Sequence, residues 1–310
     1  MAPTEQPPYL VSRPAIEWQA ERPFESRHGD WYASREPVAE KQHVFLNGCE
    51  LPERFAQLRA HRFVIGETGF GFGTNFLLAL AAWQHQAHGR AHLHYVAFDS
   101  APPAASDLKR WHTATGLAAA DLMHAWPEPV RGVHRLHFRG NVHLTLVLDD
   151  MAAVQDLIPA ADAWFLDGFS PARNPDAWDS RLLALISQRL RPGGILATYS
   201  AAHAVRHALE SAGLAITRTE GFGRKRHMTR ARATGDWVPT VHGSPRVAVL
   251  GGGLAGSSIT ASLERHGADP ILVDSGAPIP QRPLVIFPYL SAAPEPFSRF
   301  SLAAFEYVQR

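Results

Sequence analysis

The stretch "RFVIGETGFGFGTNFLLALAAWQHQ", residues 62–86, decides how this chain folds. Its apolar start has the length of a buried β-strand, and the residues from Thr74 onward have the apolar spacing and composition of an α-helix. Glycines at alternate positions lie between the two and permit a sharp turn of the backbone. We therefore predict a strand, a tight turn and a helix, which is the repeating unit of an α/β sheet.

Strands of the same kind follow along the chain. The apolar runs "LHYVAF", "HLTLVL" and "AWFL" end at Asp99, at Asp149–Asp150 and at Asp167. Strands that alternate with helices predict an α/β, doubly wound, Rossmann-like parallel sheet, in which ligands bind at the carboxyl ends of the strands. Glu67, Asp99, Asp150 and Asp167 all fall at such ends. We therefore expect a ligand site there.

Local composition predicts the remaining elements of this sheet. Asn174 and Pro175 are residue types that favour the N-cap and first helical position, and they predict a helix through Leu190. The other predicted elements are a strand at 44–46, helices at 103–124 and 201–211, and strands at 193–200 and near 214–219.

The glycine-rich turn has the spacing E-x-G-x-G-x-G, formed by Glu67, Gly69, Gly71 and Gly73. This is the spacing of methyltransferases that use S-adenosylmethionine (SAM), whereas dinucleotide-binding turns have G-x-G-x-x-G. SAM carries no phosphate, so its site does not require a helix N-terminus that cradles an anion. The turn therefore predicts a SAM site, and the alternative is a glycine turn that serves packing alone.

Three further residues are assigned to this cofactor site. Asp99, at the end of the next strand, is placed to accept hydrogen bonds from ribose hydroxyls, and Asp150 falls where the adenine edge would lie. Asn75, in the first turn of the helix, is included with them. A packing turn needs no such ordered series of acids, so the series favours a nucleoside site.

The stretch "FLDGFSPARNPDAW", residues 165–178, joins an acid to an aromatic ring in a rigid turn. Asp167 and Phe169 have the layout of the acid-Pro-Pro-aromatic loops of amine methyltransferases. Methyl transfer needs a neutral amine, and an alkylamine of pKa ~10.4 is only about one part in a thousand neutral at pH 7. Desolvation by Phe169 would lower that pKa, whereas Asp167 would orient the amine and accept its proton. The alternative for Asp167 is a helix cap or a turn acid.

The stretch "GRKRHMTRAR", residues 223–232, is basic and contains no acid. Arg224, Lys225 and Arg226 are predicted to contact RNA phosphates, and Asn174 and Pro175 are assigned to the substrate end of the site. The alternative is a solvated final hairpin, which is the usual place for a run of charges.

Composition sets the class of protein. The chain has 310 residues, 45% of them hydrophobic and 19% charged, which is typical of a globular protein, and its formal charge of +1 makes no strong global field for nucleic acid. The single cysteine, Cys49, and the absence of a signal-peptide pattern favour the cytoplasm. No apolar stretch reaches the length of a membrane span. We recognise neither an H-x-x-x-H spacing nor a pairing with cysteine among the 17 histidines, so no metal site is predicted.

A second glycine-rich turn follows "RVAVL" near the end of the chain. Gly251, Gly253 and Gly256 form G-x-G-x-x-G, and Asp274 closes the next strand. This is the dinucleotide fingerprint in its strand-turn-helix setting. Only residues 245–310 are available to this unit, so we expect an incomplete βαβ unit with doubtful cofactor binding.

Four motifs together resemble the bifunctional tRNA 5-methylaminomethyl-2-thiouridine biosynthesis proteins, the MnmC type. They are "ETGFGFGTNFLLA", "AWFLDGFSPARNPDAW", "RPGGILATYS" and "GFGRKRHM". The resemblance implies a SAM-dependent half that methylates 5-aminomethyl-2-thiouridine at the tRNA wobble position. It also implies an FAD-dependent half that removes carboxymethyl from the same amine. The family's motif acid falls on Glu67, its ribose acid on Asp99 and its loop acid on Asp167.

The resemblance implies three segments: a methyltransferase domain at 1–232, a linker at 233–244 and the start of an FAD-dependent oxidoreductase domain at 245–310. Methylation of tRNA is the leading hypothesis. The alternatives are an FAD-dependent tRNA-modifying oxidoreductase and a non-catalytic tRNA-binding scaffold. Oligomeric state is not predicted.

Overall fold

The computed structural model describes residues 9–58, 62–86, 91–238, 245–276, 287–291 and 295–308. The chain begins with a small antiparallel sheet of β1 (Ile16–Gln19), β2 (Arg22–Glu25) and β3 (Asp30–Trp31). Three helical segments follow: α1 (Pro37–Lys41), a π-helix at Gln42–Asn47 and α2 (Leu51–Gln57). The prediction of a strand at 44–46 is wrong, because the apolar run "VFL" lies in the π-helix, where all three side chains are buried. A run this short has no periodicity that separates strand from helix.

An eight-stranded mixed sheet forms the centre of the molecule. Its strands are β4 (Arg62–Thr68), β5 (His92–Phe98), β6 (Gly132–Phe138), β7 (Val142–Leu148), β8 (Ala161–Leu166), β9 (Leu190–Thr198), β10 (Ala215–Glu220) and β11 (His227–Arg232). Their order across the sheet is β10-β11-β9-β8-β4-β5-β7-β6. Strands β9, β8, β4, β5 and β7 pair in parallel, as predicted, whereas β6 and β11 pair antiparallel with their neighbours. Strand β6 was not predicted.

Helices cover both faces of this sheet, which confirms the doubly wound arrangement. They are α3 (Thr74–His85), α4 (Ala105–Thr115), α5 (Ala120–Ala125), α6 (Ser180–Arg189) and α7 (His203–Ser211). Alternate residues of β8 point into two separate cores: Phe165 packs with the α3 side and Trp164 with the α6 and α7 side. The stretch at 62–86 forms β4, the glycine turn and α3, as predicted.

The helix predicted from Asn174 starts later than expected. Asn174 makes no capping hydrogen bond, and Pro175 begins only a short 3-10 turn, Pro175–Trp178. The N-cap of α6 is Asp179, whose carboxylate accepts from the backbone N–H groups of Arg181 and Leu182. Both Asn174 and Asp179 are common N-cap residue types, and the backbone hydrogen bonds decide between them. The single helix predicted at 103–124 is likewise two helices, α4 and α5.

The C-terminal region contains a small βαβ unit of β12 (Arg246–Leu250), α8 (Leu254–Arg265) and β13 (Asp269–Val273), followed by α9 (Pro296–Val308). The two strands pair in parallel. Helix α9 packs against β6 at the edge of the large sheet. Within the predicted linker, the described part ends at Val238, and Trp237 packs on Phe63 and donates to Asp162. The three segment boundaries themselves stay predictions.

None of the helices in the described part of the chain combines the length and the apolar character that crossing a lipid bilayer demands.

Candidate active site at the carboxyl ends of the strands

A cavity of about 540 Å³ opens where the parallel strands end. The glycine-rich turn at 69–73 forms one wall, and the strand ends at Asp99, Asp150 and Asp167 form the floor. Residues of the N-terminal region, among them Tyr32 and Lys41, complete the lining of the cavity. Most of the predicted cofactor residues of the first domain therefore meet around one cavity.

The backbone of the turn requires its glycines. Gly69, Gly71 and Gly73 all have φ between 55° and 72°, a left-handed conformation that strains other residues. At Gly69 a β-carbon would lie 3.0 Å from the Cα of Gly168, so this glycine also lets two backbones approach at the cavity. The spacing seen in the sequence thus has a direct conformational cause.

Asp99 fastens the turn to the sheet. One carboxylate oxygen accepts from the N–H of Gly71 at 2.7 Å, and the other accepts from the N–H of Ala101 at 2.8 Å. Burial raises the pKa of Asp99 to about 6, although these backbone hydrogen bonds lower it in part. Asp99 lines the cavity at the position predicted for a ribose acid.

The two acids after β7 have separate surroundings. Asp149 is buried and forms an ion pair with Arg131. Asp150 is exposed, lines the cavity and accepts from the N–H of Ala152 at 2.9 Å. Both acids line the cavity, and within the described part of the chain only Asp149 of the two is held by an arginine.

Glu67 lies below the cavity rather than on its surface. It is fully buried and accepts from the Asn75 side-chain amide at 2.7 Å and from the Tyr95 hydroxyl at 2.9 Å. Burial, followed by the charge of Asp167, raises the pKa of Glu67 well above its ordinary value. The same Asn75 amide also donates to Asp167 at 2.8 Å, while Asn75 Oδ1 is buried with no partner among the described residues. Asn75 thus links the motif acid to the cavity.

The side chain of Asp167 is only 7% exposed, and its carboxylate accepts hydrogen bonds from three donors. Besides Asn75, these are the N–H of Gly168 at 2.9 Å and the ammonium of Lys41, with which it forms an ion pair. Burial acts to lower the pKa of Lys41, but the charges of Asp167 and Glu40 outweigh it and raise that pKa. Lys41 is therefore a cation in the cavity wall.

Sequence reasoning missed Lys41. It lies on α1, 126 residues before its partner, and no spacing motif joins the two positions. An isolated lysine in a polar segment carries no signal of burial, so only the packing of α1 against the sheet reveals it.

An aromatic wall stands beside Asp167. The ring of Phe169 stacks on His28 with centroids 4.8 Å apart and meets Tyr32 edge-on at 5.0 Å. All three side chains line the cavity. Phe169 therefore presents an apolar surface next to the carboxylate, as the sequence predicted, and His28 and Tyr32 from the N-terminal segment complete it.

The basic hairpin between β10 and β11 reaches the same end of the sheet. Lys225 lies 3.8 Å from a carboxylate oxygen of Glu40 and its ammonium is 3.8 Å from the centre of the Tyr199 ring. Burial lowers the pKa of Lys225, and Glu40 opposes that effect. Arg224 and Arg226 are exposed, and neither has an acidic partner within salt-bridge distance in the described part of the chain.

The other two arginines of the basic run have a different role. Arg230 and Arg232 both form ion pairs with Glu50, so their charges are partly neutralised within the protein. Of the positions predicted for tRNA contact, Arg224 to Arg226 lie at the hairpin tip and Asn174 lines the cavity, whereas Pro175 is exposed outside it.

The second glycine-rich turn has the predicted local geometry. Gly251 has φ of 99°, and the N–H of Gly252 donates to the carboxylate of Asp274 at 2.5 Å. A β-carbon on Gly256 would lie 1.7 Å from the carbonyl oxygen of Gly251, so this glycine lets the helix approach the turn. Gly253 is the N-cap of α8. The unit lies apart from the cavity, and FAD binding stays a prediction.

Comparison with known proteins agrees with this geometry. A family model described as S-adenosyl-L-methionine-dependent methyltransferase matches residues 115–234. The tRNA 5-methylaminomethyl-2-thiouridine biosynthesis bifunctional protein MnmC of Chromohalobacter salexigens is 40% identical over 97% of this chain, which covers 47% of that protein. The protein of the same name from Ralstonia nicotianae is 39% identical over 91% of this chain, which covers 45% of it. The chain spans about half the length of these curated relatives.

A solved structure shares the fold. The crystal structure of MNMC2 from Aquifex aeolicus superposes with a TM-score of 0.55 at 21% identity, covering 77% of this chain and 74% of that chain. Fold, glycine turn and relatives agree. In sequence, the chain is therefore similar to the S-adenosyl-L-methionine-dependent methyltransferases over residues 115–234 and to the MnmC-type bifunctional proteins over nearly its whole length.

Proposed function

We propose that this chain methylates the primary amine of 5-aminomethyl-2-thiouridine at the wobble position of tRNA, giving the methylaminomethyl form. The observation that carries the proposal is the pairing of a buried carboxylate, Asp167, with the aromatic ring of Phe169 directly across from the glycine turn. An amine acceptor needs both an acceptor for its N–H and an apolar surface that excludes water. The names of the curated relatives point to the same substrate.

The residues that line the cavity support one arrangement of the cofactor. The ribose hydroxyls would face Asp99, and the adenine amine would face the second oxygen of Asp150. Asn75 Oδ1, which is buried without a partner at the cavity, would accept from the ammonium of the methionine end. Glu67 would act through Asn75, because it does not reach the cavity surface.

The acceptor amine would enter between Phe169 and Asp167. In the transfer, the amine nitrogen forms a bond to the methyl carbon while the carbon–sulfur bond breaks, which leaves a neutral thioether and a protonated product amine. The product then loses a proton. Asp167 would orient the N–H before transfer and receive that proton afterwards. The ammonium of Lys41 forms an ion pair with Asp167 and so helps to fix the position of its carboxylate.

The hairpin tip supplies a surface for the nucleic acid. Arg224 and Arg226 are exposed cations near the cavity end of the sheet, and Lys225 lies between them. Phosphate contacts from such residues position a nucleic acid without reading its sequence. Selection of the wobble uridine would then depend on the cavity.

The decisive experiment uses tRNA that carries 5-aminomethyl-2-thiouridine, SAM and the purified chain, with wobble nucleosides measured by mass spectrometry. We expect the methylaminomethyl nucleoside to appear with SAM and not without it. The Asp167→Asn variant is the matched control, because it keeps the shape of the side chain and removes its charge. A chain that binds this tRNA and SAM but yields no product would be the non-catalytic scaffold instead.

The second glycine turn supports a further, separate proposal. Gly251, Gly253 and Gly256 with Asp274 have the local geometry for the adenosine diphosphate part of FAD. A flavin ring needs additional residues that position it for hydride transfer. We therefore assign no oxidoreductase activity to these 310 residues, and the flavin spectrum of the purified chain tests that expectation.

A further inference from the structure

A row of histidines crosses the sheet at the end opposite the cavity. In the strand register His94 of β5 pairs with His143 of β7, and His143 pairs with His137 of β6, so the three side chains share one face. His92 lies two residues before His94 and on the same face. His266, which follows α8, covers the row, with its ring 4.6 Å from that of His143.

We propose that His137, His143 and His266 bind a divalent transition-metal ion of the Zn²⁺ class, and that the ion joins the C-terminal βαβ unit to the large sheet. One ligand nitrogen from each of these residues lies within 4.8 Å of the other two. Nitrogens bound to one tetrahedral Zn²⁺ at 2.0–2.1 Å lie roughly 3.3 Å apart. The required shifts are therefore on the order of 1 Å. The proposal reverses the prediction that the chain has no metal site.

The outer nitrogens of the three rings already have partners, so the inner nitrogens are the ones that would bind an ion. Nδ1 of His266 is 2.6 Å from the carbonyl oxygen of Ser262, which can only accept, so Nδ1 carries the proton and Nε2 keeps its lone pair. Nε2 of His143 lies 2.9 Å from Nδ1 of His92, and Nε2 of His137 lies 3.5 Å from the hydroxyl of Tyr307. The carbonyl partner of His266 is of the kind that orients ligand histidines in metal sites.

The inner nitrogens also meet each other. Nδ1 of His137 and Nδ1 of His143 are 2.9 Å apart. In this hydrogen bond one of the two nitrogens donates its proton and the other accepts it. A cation between them would bind both lone pairs.

Two features of the cluster oppose binding of a metal ion, and each of them can be tested by substitution or by spectroscopy. Arg135 donates to Nε2 of His266 at 3.3 Å, so an ion would have to displace its guanidinium. The His143 and His266 rings are stacked at 27°, so His266 would have to turn towards the other two. His266 is only half-buried, which leaves it room to turn. No carboxylate belongs to the cluster among the described residues, so the ligands are all neutral imidazoles.

The consequence would be a crosslink between two parts of the chain. His137 and His143 belong to the large sheet, whereas His266 belongs to the βαβ unit. Gly267 lies against His92, and a β-carbon there would be 2.5 Å from the His92 ring nitrogen, so the two parts are already in close contact. An ion bound to the folded state would raise the unfolding temperature, by an amount that grows with the logarithm of the ion concentration above the dissociation constant.

The test measures Zn²⁺ binding to metal-free, untagged protein by equilibrium dialysis, and Co²⁺ binding by its visible absorption. We expect one site per chain that His266→Ala or His137→Ala weakens at least about tenfold. SAM binding in the same samples shows that the variants are folded. Since Arg135 competes for the His266 lone pair, Arg135→Gln should bind Zn²⁺ more tightly than the wild type.

The chain contains its own control. His203 and His207 lie one turn apart on the exposed face of α7, an H-x-x-x-H pair that the sequence-based prediction overlooked and that can itself chelate an ion weakly. The double variant His203→Ala/His207→Ala should keep the proposed site. Loss of Zn²⁺ binding in this double variant alone, equal affinity in His266→Ala and wild type, or weaker binding in Arg135→Gln would each overturn the proposal. Wild-type protein that binds no Zn²⁺ would do so as well.

Discussion

Replacing Asp99 tests the cofactor site most directly. In the structure its two carboxylate oxygens each accept a backbone N–H, from Gly71 and from Ala101, and its remaining lone pairs face the cavity. The proposed ribose hydroxyls would use those lone pairs. A hydrogen bond to a charged group contributes about 1.5–3 kcal/mol, so Asp99→Ala should weaken SAM binding by roughly 10- to 150-fold.

The pKa of this group adds a second signature. Because burial raises the pKa of Asp99 to about 6, the carboxyl is neutral below pH 6 and ionised above it. The ionised form is the stronger acceptor, so the affinity of the wild type for SAM should rise between pH 5 and pH 7. Asp99→Asn has no titrating group at this position, and its affinity should be low and nearly constant over the same range.

Isothermal titration calorimetry with SAM at several pH values measures both effects. Far-ultraviolet circular dichroism of each variant controls for folding, since Asp99 also fastens the glycine turn. Unchanged affinity in Asp99→Ala would place the ribose elsewhere. Parallel pH profiles for the wild type and Asp99→Asn would show that Asp99 is not the group whose ionisation matters.

The remaining predictions concern the acceptor side and the C-terminal unit. Asp167→Asn should bind SAM normally yet lose most methyl transfer in a single-turnover assay with aminomethyl-tRNA, and a wild-type rate would refute the catalytic role. Lys41→Met should lower the free energy of unfolding by about 3–5 kcal/mol in urea titrations, because it leaves the Asp167 carboxylate buried without its cation. The double variant with Asp167→Asn should recover much of that loss, and additive losses would mean that the two residues do not interact. Neutralising Arg224, Lys225 and Arg226 should weaken tRNA binding and flatten its salt dependence, so an equal salt slope in the triple variant would make the hairpin a solvated surface. The purified chain should be colourless and should not remove carboxymethyl from tRNA, and a stoichiometric flavin spectrum would contradict that.

Local patterns in the sequence were sufficient to predict the repeating strand-turn-helix units of the fold. The stretch at 62–86 contains a strand, a turn and a helix whose apolar period and glycines need no distant partner to be recognised. The acids at Asp99, Asp150 and Asp167 could be ordered around a cavity because parallel strands end at the same edge of a sheet. Each of these inferences needs only short segments of sequence and the general geometry of a parallel sheet.

Local patterns were less reliable at the boundaries of elements and for short apolar runs. Residues 44–46 have strand composition but lie in a π-helix. Asn174 is a common N-cap residue type, but the N-cap of the helix is Asp179. In both places two local conformations have similar intrinsic free energies. Packing of neighbouring elements and the available backbone donors therefore decided the outcome.

Tertiary structure alone decided which distant side chains meet. Lys41 reaches Asp167, and His28 reaches Phe169, because the N-terminal segment folds over the carboxyl ends of the strands. His137, His143 and His266 converge because strand order and the docking of α8 bring together residues that are far apart in the chain. No sequence spacing encodes such contacts, since they depend on the order of strands across the sheet and on the burial of faces that each element cannot cover by itself.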